Sequence, residues 1–297
     1  MRHLIEFTNF SDNQAQKLIQ DIIDEKNTPN LNQYEGTVVM KFDEPSTRTK
    51  ISFSSAANKL GLYQIDLTKE TSAAEKGENI IQEIETLIEL GVDALVIRTN
   101  SNNKDIYNSF KNLGIVSAGF GKVSHPTQAL VDAATIINSK NLDLSKPIIF
   151  CGDVRHSRVF NSAKELFPKL GLDVGICCPD DFIPEDFEEF KNIKKFNNIE
   201  EAIQEGAALE LLRTQKERIE DMQRFNKNNF IEKFQLTNKK LAKSSNDLIV
   251  LHPMPMNIGF EINEDVIDNP KLKHLEQLSY GIPSKKVALK YALEKIW

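Results

Sequence analysis

Short apolar runs alternate with segments of helical periodicity along the whole chain. In the first half, strands are predicted at residues 37–42, 63–67, 94–98 and 115–118, and helices at 47–60, 79–90, 104–113 and from 125 to about 140. Gly61, Gly91 and Gly114 follow three of these helices, as is typical of helix ends. The alternation predicts a parallel sheet with helices on both faces.

The same alternation restarts after a polar segment at residues 138–146, which we interpret as a domain boundary. Strands are predicted at 147–154, 173–178, 207–212 and 247–252, and helices at 156–170, 199–205 and 283–297. Residues 218–246 are charged and rich in Asn and Lys, so they are predicted to form a mobile surface segment with some helix.

The predicted fold class is therefore α/β, with two doubly wound parallel-sheet domains linked by long helices. The first domain is expected to span residues 1–137, with a C-terminal helix at about 283–297 packing back on it. The second is expected to span residues 138–282. The length of 297 residues agrees with two domains of about 150 residues each.

Composition and net charge exclude some classes of binding partner. The net charge of −6 argues against a nucleic-acid partner, so basic residues are expected to act locally. No apolar run is long enough to span a bilayer and no signal peptide is evident, so we expect a soluble, cytoplasmic protein. Cys151, Cys177 and Cys178 form neither a ligand set nor a disulfide framework, and we expect no metal and no cofactor.

The segment at residues 43–50 carries the clearest chemistry. It lies between a predicted buried strand and a predicted helix, and Pro45 favours an extended approach to that helix. Ser46 is a suitable N-cap, so the following backbone N–H groups lie at the positive end of the helix dipole. Hydroxyl groups and the guanidinium of Arg48 add further donors. The segment predicts an anion site.

Other predicted strands are also followed by charged or polar side chains. These residues are Arg98, His125 with Gln128, Asp153 with Arg158, Arg213 with Gln215, and the run at 252–254. In doubly wound sheets, ligands bind at the carboxyl ends of the strands. The sequence therefore predicts one site for multiply charged anionic substrates.

Five short motifs, in this order along the chain, resemble those of the aspartate and ornithine carbamoyltransferase family. They are Ser-Thr-Arg-Thr at 46–49, His-Pro-Thr-Gln at 125–128, Gly-Asp-Val-Arg-His-Ser-Arg-Val at 152–159, Arg-Thr-Gln-Lys-Glu-Arg at 213–218 and His-Pro-Met-Pro at 252–255. Each motif alone is weak, but the ordered set is highly specific. Within the family the chain is similar to the branch that uses aspartate, from about residue 42 to 281.

The resemblance implies that carbamoyl phosphate is one substrate. Its phosphate is expected on Ser46, Thr47, Arg48 and Thr49. Arg98 is expected to contact a phosphate oxygen and the carbamoyl oxygen, and His125 to stabilise the oxyanion with Thr49 and Arg98. The carbamoyl amino group is expected to meet Gln128 and the backbone carbonyls of Pro253 and Met254.

The second implied substrate is L-aspartate. Its carboxylates are expected on Arg158 and Arg213, aided by Gln215, while its neutral amine attacks the carbamoyl carbon. The product would be N-carbamoyl-L-aspartate, a step towards pyrimidines. No covalent nucleophile is needed, because positioning and electrostatics supply most of the rate.

The resemblance also implies a shared site. Ser72 and the catalytic Lys76 match a loop that enters the active site of a neighbouring subunit, so a homotrimer is expected. Glu44 matches a residue that pairs with Arg158 and Arg218 when the two domains close on substrate. Regulatory chains are possible partners that the sequence does not decide.

Three alternatives compete with this interpretation. A carbamoyltransferase acting on ornithine typically carries a His-Cys-Leu-Pro run, whereas this chain has His-Pro-Met-Pro at 252–255. A dinucleotide-dependent dehydrogenase needs Gly-x-Gly-x-x-Gly after a strand, and only Gly152 follows the strand predicted at 147–154. An inactive relative is disfavoured because the cationic residues of the motifs are retained.

Four positions depart from the commonest family pattern: Lys50, Thr99, Phe120 and Met256. None is a residue that the resemblance places on a substrate. Phe120 and Met256 are expected to change packing around the site, which leaves affinity and pH dependence open.

Overall fold

Two five-stranded parallel sheets organise the chain in a computed structural model that describes residues 2–68, 77–189, 193–214 and 226–294. The first sheet has the order β1-β5-β4-β2-β3, with β1 at His3–Leu4, β2 at Thr37–Phe42, β3 at Tyr63–Leu67, β4 at Ala94–Thr99 and β5 at Gly114–Phe120. Its helices are α1 at Asp12–Asn27, α2 at Thr47–Lys59, α3 at Ile80–Glu89, α4 at Asp105–Asn108 and α5 at Pro126–Ile137.

The second sheet has the order β10-β9-β6-β7-β8. Its strands are β6 at Ile148–Gly152, β7 at Val174–Cys177, β8 at Lys194–Phe196, β9 at Ala208–Leu212 and β10 at Ile249–Leu251. The helices that follow along the chain are α6 at Arg158–Leu166, α7 at Ile199–Glu205, α8 at Lys227–Phe234, α9 at Asn238–Leu241, α10 at His274–Ser279 and α11 at Gly281–Ala292.

Both sheets are covered on their two faces, which explains the apolar composition of their strands. β4 lies between β2 and β5, with Leu95 level with Val39 on one side and Ile115 on the other. One face of this sheet packs on the main core, and the other packs on a smaller core that includes Ile84 of α3 and Tyr107 of α4. The predicted fold class is confirmed.

The helix predicted at residues 104–113 is wrong in length, because α4 spans only Asp105–Asn108. The chain must turn back there to begin β5 at Gly114, whose N–H donates to the carbonyl of Asp93 at 3.0 Å. A Cβ at Gly114 would lie 2.4 Å from the carbonyl oxygen of Ala292, so glycine allows the C-terminal helix to approach this strand.

The segment predicted at residues 218–246 is described from residue 226 onwards. The helix expected within it is present as α8 and α9, whereas the expected surface position is wrong for Phe230, Phe234 and Leu241, which are buried. The many Asn and Lys residues lie on the outer faces of these helices, while three apolar side chains anchor them to the core.

The N-terminal helix α1 was not predicted. Ser11 caps it, with its hydroxyl accepting from the N–H of Gln14. The C-terminal helix α11 begins at Gly281 and packs against α1, α2 and α5, while residues 295–297 lie outside the described part of the chain. Lys286 and Lys290 of α11 bind the buried carboxylate of Glu25 on α1. The last helix therefore packs onto elements of the first sheet.

Candidate active site

The two sheets place their topological switch points on one cavity of about 1100 Å³. In the first sheet the strand order reverses between β2 and β4, and in the second between β6 and β9. Ligands of doubly wound sheets bind at such points, outside the carboxyl ends of the strands. Arg48 follows β2, Arg98 lies near the end of β4, Arg158 follows β6 and Arg213 follows β9. All four arginines line the cavity.

Every residue that the resemblance assigns to the site and that the structure describes lines this cavity, whereas Asp153 does not. These residues are Glu44, Ser46, Thr47, Arg48, Thr49, Arg98, His125, Gln128, Arg158, Arg213, Pro253 and Met254. Four other predicted residues, Ser72, Lys76, Gln215 and Arg218, lie outside the described part of the chain.

The start of α2 forms one wall. Ser46 is the N-cap in extended conformation, yet its hydroxyl makes no capping hydrogen bond to the backbone. The amide groups of the first turn therefore lack the partner that an N-cap side chain usually supplies. Thr47, Arg48 and Thr49 face the same cavity, and burial lowers the pKa of the Arg48 guanidinium, which still stays protonated. This arrangement suits an anion.

Arg98 lies where the pairing of β4 with β5 shifts by one residue. Such irregularities re-aim side chains at functional sites. The Arg98 Nη1 donates to the carbonyl of Ala118 at 3.1 Å, and its Nε lies 3.3 Å from Oε2 of Glu44. The guanidinium is thus held at the strand end by the backbone and by one carboxylate.

Glu44 connects the two halves of the cavity. Its Oε2 accepts from Nη1 of Arg158 at 2.9 Å, and Arg158 also donates to the carbonyl of Gly121 at 3.2 Å. Arg158 is the first residue of α6 and is 9% exposed. One carboxylate therefore lies between an arginine of each sheet.

His125 precedes α5 and is buried. Its backbone N–H donates to Oγ of Ser162 at 2.8 Å. Burial lowers its pKa well below the usual value, and the nearby cations Arg158, Arg98 and Lys285 act in the same direction. The imidazole is therefore neutral at neutral pH and retains one N–H donor. No described residue hydrogen-bonds to its Nδ1.

His252 shapes the loop after β10. The N–H of Met254 donates to Nδ1 of His252 at 2.8 Å, so the ring proton lies on Nε2, 3.2 Å from Oε1 of Glu261. The Glu261 oxygen also accepts from the N–H of Asn257 at 2.6 Å. Met254 has a φ of 58°, in the left-handed region. The histidine thus ties the loop back on itself.

Three buried residues that the sequence analysis missed, Asp132, Glu210 and Gln277, lie close to the predicted Gln128. We call Gln128, Asp132, Glu210 and Gln277 the carboxyl–amide cluster. Oδ1 of Asp132 accepts from Nε2 of Gln128 at 2.8 Å and from Nε2 of Gln277 at 2.7 Å. Gln277 also lies 3.2 Å from Oε1 of Glu210, and its own oxygen accepts from the N–H of His252 at 2.9 Å.

Burial perturbs the titration of this cluster. It raises the pKa of Asp132 to about 7, against the effect of hydrogen bonds from Gln277 and Gln128 and the charge of Lys285. Burial and the neighbouring Asp132 raise the pKa of Glu210. Lys285 lines the cavity, and burial lowers its pKa to about 8. Three ionisable groups are therefore enclosed next to Gln128.

The cavity offers cations, hydroxyl groups and amides, together with one neutral imidazole. In the described ranges no group of three or more His, Cys, Asp or Glu residues is arranged to hold a metal ion. No helix there is long and apolar enough to cross a membrane. The three cysteines are buried away from the cavity lining. The arrangement suits anion binding and stabilisation of negative charge on an oxygen.

Two family models match the chain. The model described as aspartate/ornithine carbamoyltransferase, carbamoyl-P binding domain, matches residues 2–138. The model described as aspartate/ornithine carbamoyltransferase, Asp/Orn binding domain, matches residues 145–292. Together they cover nearly the whole chain.

The curated relatives are members of the same family as the two matching models. The chain is 32% identical to the aspartate carbamoyltransferase catalytic subunit of Staphylococcus carnosus, over 95% of this chain and 92% of that protein. It is 36% identical to the catalytic subunit of Koribacter versatilis, over 87% and 86%.

Solved structures share the fold along the whole length. The catalytic subunit of M. jannaschii aspartate transcarbamoylase has a TM-score of 0.82 at 27% identity, over 99% of both chains. The Trypanosoma cruzi enzyme in complex with carbamoyl aspartate and phosphate has a TM-score of 0.82 at 25% identity, over 97% of this chain and 94% of that chain.

Proposed function

Because the chain belongs to the aspartate/ornithine carbamoyltransferase family, we propose that it transfers the carbamoyl group of carbamoyl phosphate to the amine of L-aspartate. The products are N-carbamoyl-L-aspartate and phosphate, a step of pyrimidine synthesis. One observation carries the proposal: a single cavity joins the anion-binding start of α2 to Arg158 and Arg213 of the second sheet. The T. cruzi relative binds both carbamoyl aspartate and phosphate.

The phosphate is assigned to the start of α2. The free N–H groups of the first turn point to the anion, and the hydroxyl groups of Ser46, Thr47 and Thr49 add donors. Arg48 supplies a planar guanidinium that matches two phosphate oxygens. This half of the site holds the leaving group before and after the reaction.

The carbamoyl group is assigned to Arg98, His125 and Gln128. Arg98 and the N–H of the neutral His125 ring stabilise the oxygen as it becomes an oxyanion in the tetrahedral intermediate. The low pKa of His125 means that it acts as a hydrogen-bond donor and not as a second full charge. The amide oxygen of Gln128 and the carbonyls of Pro253 and Met254 accept from the carbamoyl amino group.

The aspartate carboxylates are assigned to Arg213 and Arg158. The amine nitrogen of aspartate attacks the carbamoyl carbon, and a new C–N bond forms. The C–O bond to phosphate then breaks, and the proton lost by the amine leaves with the phosphate. Glu44 lies between Arg98 and Arg158, so it supports closure of the two halves around the substrates.

The shared site and the homotrimer are part of the same proposal. Ser72, Lys76, Gln215 and Arg218 keep the roles that the resemblance implies. Tyr63 and Ile65 support a subunit contact, because these apolar side chains are exposed on the edge strand β3, just before residue 69. Relatives are named catalytic subunits, which leaves a regulatory chain open. A cytoplasmic location stays a prediction from the sequence.

Consumption of carbamoyl phosphate by the purified protein, with L-aspartate and L-ornithine offered in parallel, tests the proposal. We expect turnover with aspartate alone, and a loss of at least about 100-fold in Arg48→Ala and Arg213→Ala. Arg155→Ala is the matched control, because Arg155 is exposed, pairs with Glu185 and does not line the cavity. Turnover with ornithine alone would contradict the assignment of the acceptor.

A further inference from the structure

The amide of Gln128 has a fixed orientation in this structure. Its Nε2 donates to Oδ1 of Asp132, one helical turn further along α5, at 2.8 Å. Above its pKa of about 7, Asp132 is a carboxylate, which only accepts hydrogen bonds, so it must face the NH₂ end of the amide. The oxygen end of Gln128 is therefore left for the cavity, which this side chain lines.

Asp132 is itself held from a second direction. It is fully buried, and the same Oδ1 accepts from Nε2 of Gln277 at 2.7 Å. The oxygen end of Gln277 accepts from the N–H of His252 at 2.9 Å, so this amide has a fixed orientation too. Gln128 is part-buried, whereas Asp132 and Gln277 do not depend on solvent for their partners.

Gln277 also connects the acceptors that come from the two sheets. Its contact with His252 reaches the loop that carries Pro253 and Met254, and its contact with Asp132 reaches Gln128. The three acceptors assigned to the carbamoyl amino group are thus connected to one buried amide. A rotation of the Gln128 amide would exchange its oxygen for an NH₂ group, which repels another amino group.

We propose that Asp132 and Gln277 are positioning residues that hold the oxygen of Gln128 towards the cavity and thereby select a substrate with an amino group. The inference rests on the proposed function. Asp132 does not line the cavity, and Gln277, which does, is assigned no contact with the reacting atoms. Both act through the acceptors, so their removal weakens discrimination between an amino group and a methyl group at the same position.

Carbamoyl phosphate and acetyl phosphate provide the test, since they differ only in the amino or methyl group on the carbonyl carbon. The Asp132→Asn variant keeps the side-chain volume but allows an NH₂ group to face Gln128. At pH 8 we expect the KM for carbamoyl phosphate to rise roughly tenfold. The inhibition constant of acetyl phosphate, measured as a competitor, is expected to stay within about twofold.

Asp143→Asn is the matched control, because Asp143 is an exposed carboxylate that bonds to Ser145. A double-mutant cycle that combines Asp132→Asn with Gln128→Ala distinguishes a positioning role from a general effect on the stability of the fold. In the Gln128→Ala background, Asp132→Asn is expected to add little to the KM for carbamoyl phosphate. If Asp132→Asn gives little folded protein, Gln277→Met carries the same test with the same expected change in the ratio of the two constants.

Equal rises for carbamoyl phosphate and acetyl phosphate, or additive effects in the cycle, would overturn the inference, because both point to a structural role. Unchanged constants would overturn it as well. Failure of the proposed function is a separate result: the unmodified protein would then show no turnover with aspartate. The ratio of constants is interpreted only in a protein that passes that first assay.

Discussion

The start of α2 and the carboxyl–amide cluster serve the same cavity but are built in opposite ways. At the helix start, Ser46, Thr47, Arg48 and Thr49 are consecutive, and a strand–turn–helix connection is enough to bring them to one wall of the cavity. The cluster joins Asp132 to Gln277, which lies 145 positions away. The first wall is a local structure that tolerates changes elsewhere, whereas the second exists only when distant elements pack correctly.

This difference in construction corresponds to two different proposed roles in substrate recognition. We propose the local wall as the phosphate site, and phosphate is common to every phosphorylated substrate of this kind. We propose that the long-range cluster orients acceptors for the carbamoyl amino group, which is the feature that distinguishes the substrate. Variants on each side are expected to separate binding strength from discrimination.

The largest effect is expected at His125, which lines the cavity. His125→Ala removes a donor to the developing oxyanion, so kcat is expected to fall about 10²–10³-fold. Because burial lowers the pKa of His125, its NMR signals are expected not to titrate between about pH 6.5 and 8 in the unmodified protein. His3→Ala is the control, since His3 does not line the cavity. Titration of His125 near its ordinary pKa would contradict the neutral-donor role.

A buried ion-pair network outside the cavity tests whether long-range packing by itself affects substrate binding. Glu25→Gln places an amide against Lys286 and Lys290 in the buried contact between α1 and α11. We expect the free energy of unfolding, measured in urea, to fall by roughly 2–3 kcal/mol while both KM values stay unchanged. A change in KM would mean that the cavity senses packing of α11 as a whole.

The bridge between the sheets is expected to have a moderate effect. Glu44→Gln leaves Arg98 and Arg158 without a shared carboxylate, so kcat/KM for aspartate is expected to fall roughly tenfold in steady-state assays. Glu185→Gln is the control, because it breaks an exposed pair with Arg155. Equal effects of the two changes would show that Glu44 is not a functional bridge.

A pH-dependent effect on stability is expected at Asp132. Burial raises the pKa of Asp132 from 3.8 to about 7, so between these values the folded state holds a proton that the unfolded chain has lost. Stability from this group is present below about pH 4 and is lost as the pH rises to about 7. Asp132→Asn removes that loss.

The free energies of unfolding of both proteins at pH 5 and pH 7.5 provide the check. The variant is expected to gain up to about 2 kcal/mol relative to the unmodified protein over this interval. Glu210 and Lys285 face the same cluster, and the range stops below pH 8 because Lys285 begins to lose its proton near there. A constant difference would mean that Asp132 is ionised throughout.

Most of the fold follows from local patterns. The apolar run at Thr37–Phe42 becomes a buried strand with these bounds, because both faces of the sheet are covered there. The strand predicted at residues 63–67 also has these bounds, although it lies at the sheet edge and is mostly exposed. Helix α1 was missed although its sequence carries the signals: a capping pair at Ser11 and Gln14, and apolar residues from Ala15 to Ile23 at helical spacing.

Other elements depended on the whole structure. α4 ends early because the chain must reach the start of β5, which is paired beside β4. α8 and α9 lie in a charged segment, and only the core shows that Phe230, Phe234 and Leu241 are covered. Local composition could not reveal these burials, because the apolar partners are far away in sequence.

The sequence by itself determined the donor-rich start of α2 and the cations that follow the switch-point strands, because the order of strands and helices places those positions at one sheet edge. Only the tertiary structure decided which way the Gln128 amide points. Asp132 in an apolar helix and Glu210 in an apolar strand were visible signals of buried polar partners. Their partner Gln277 comes from another element, and a hydrogen bond between distant segments is set by packing alone.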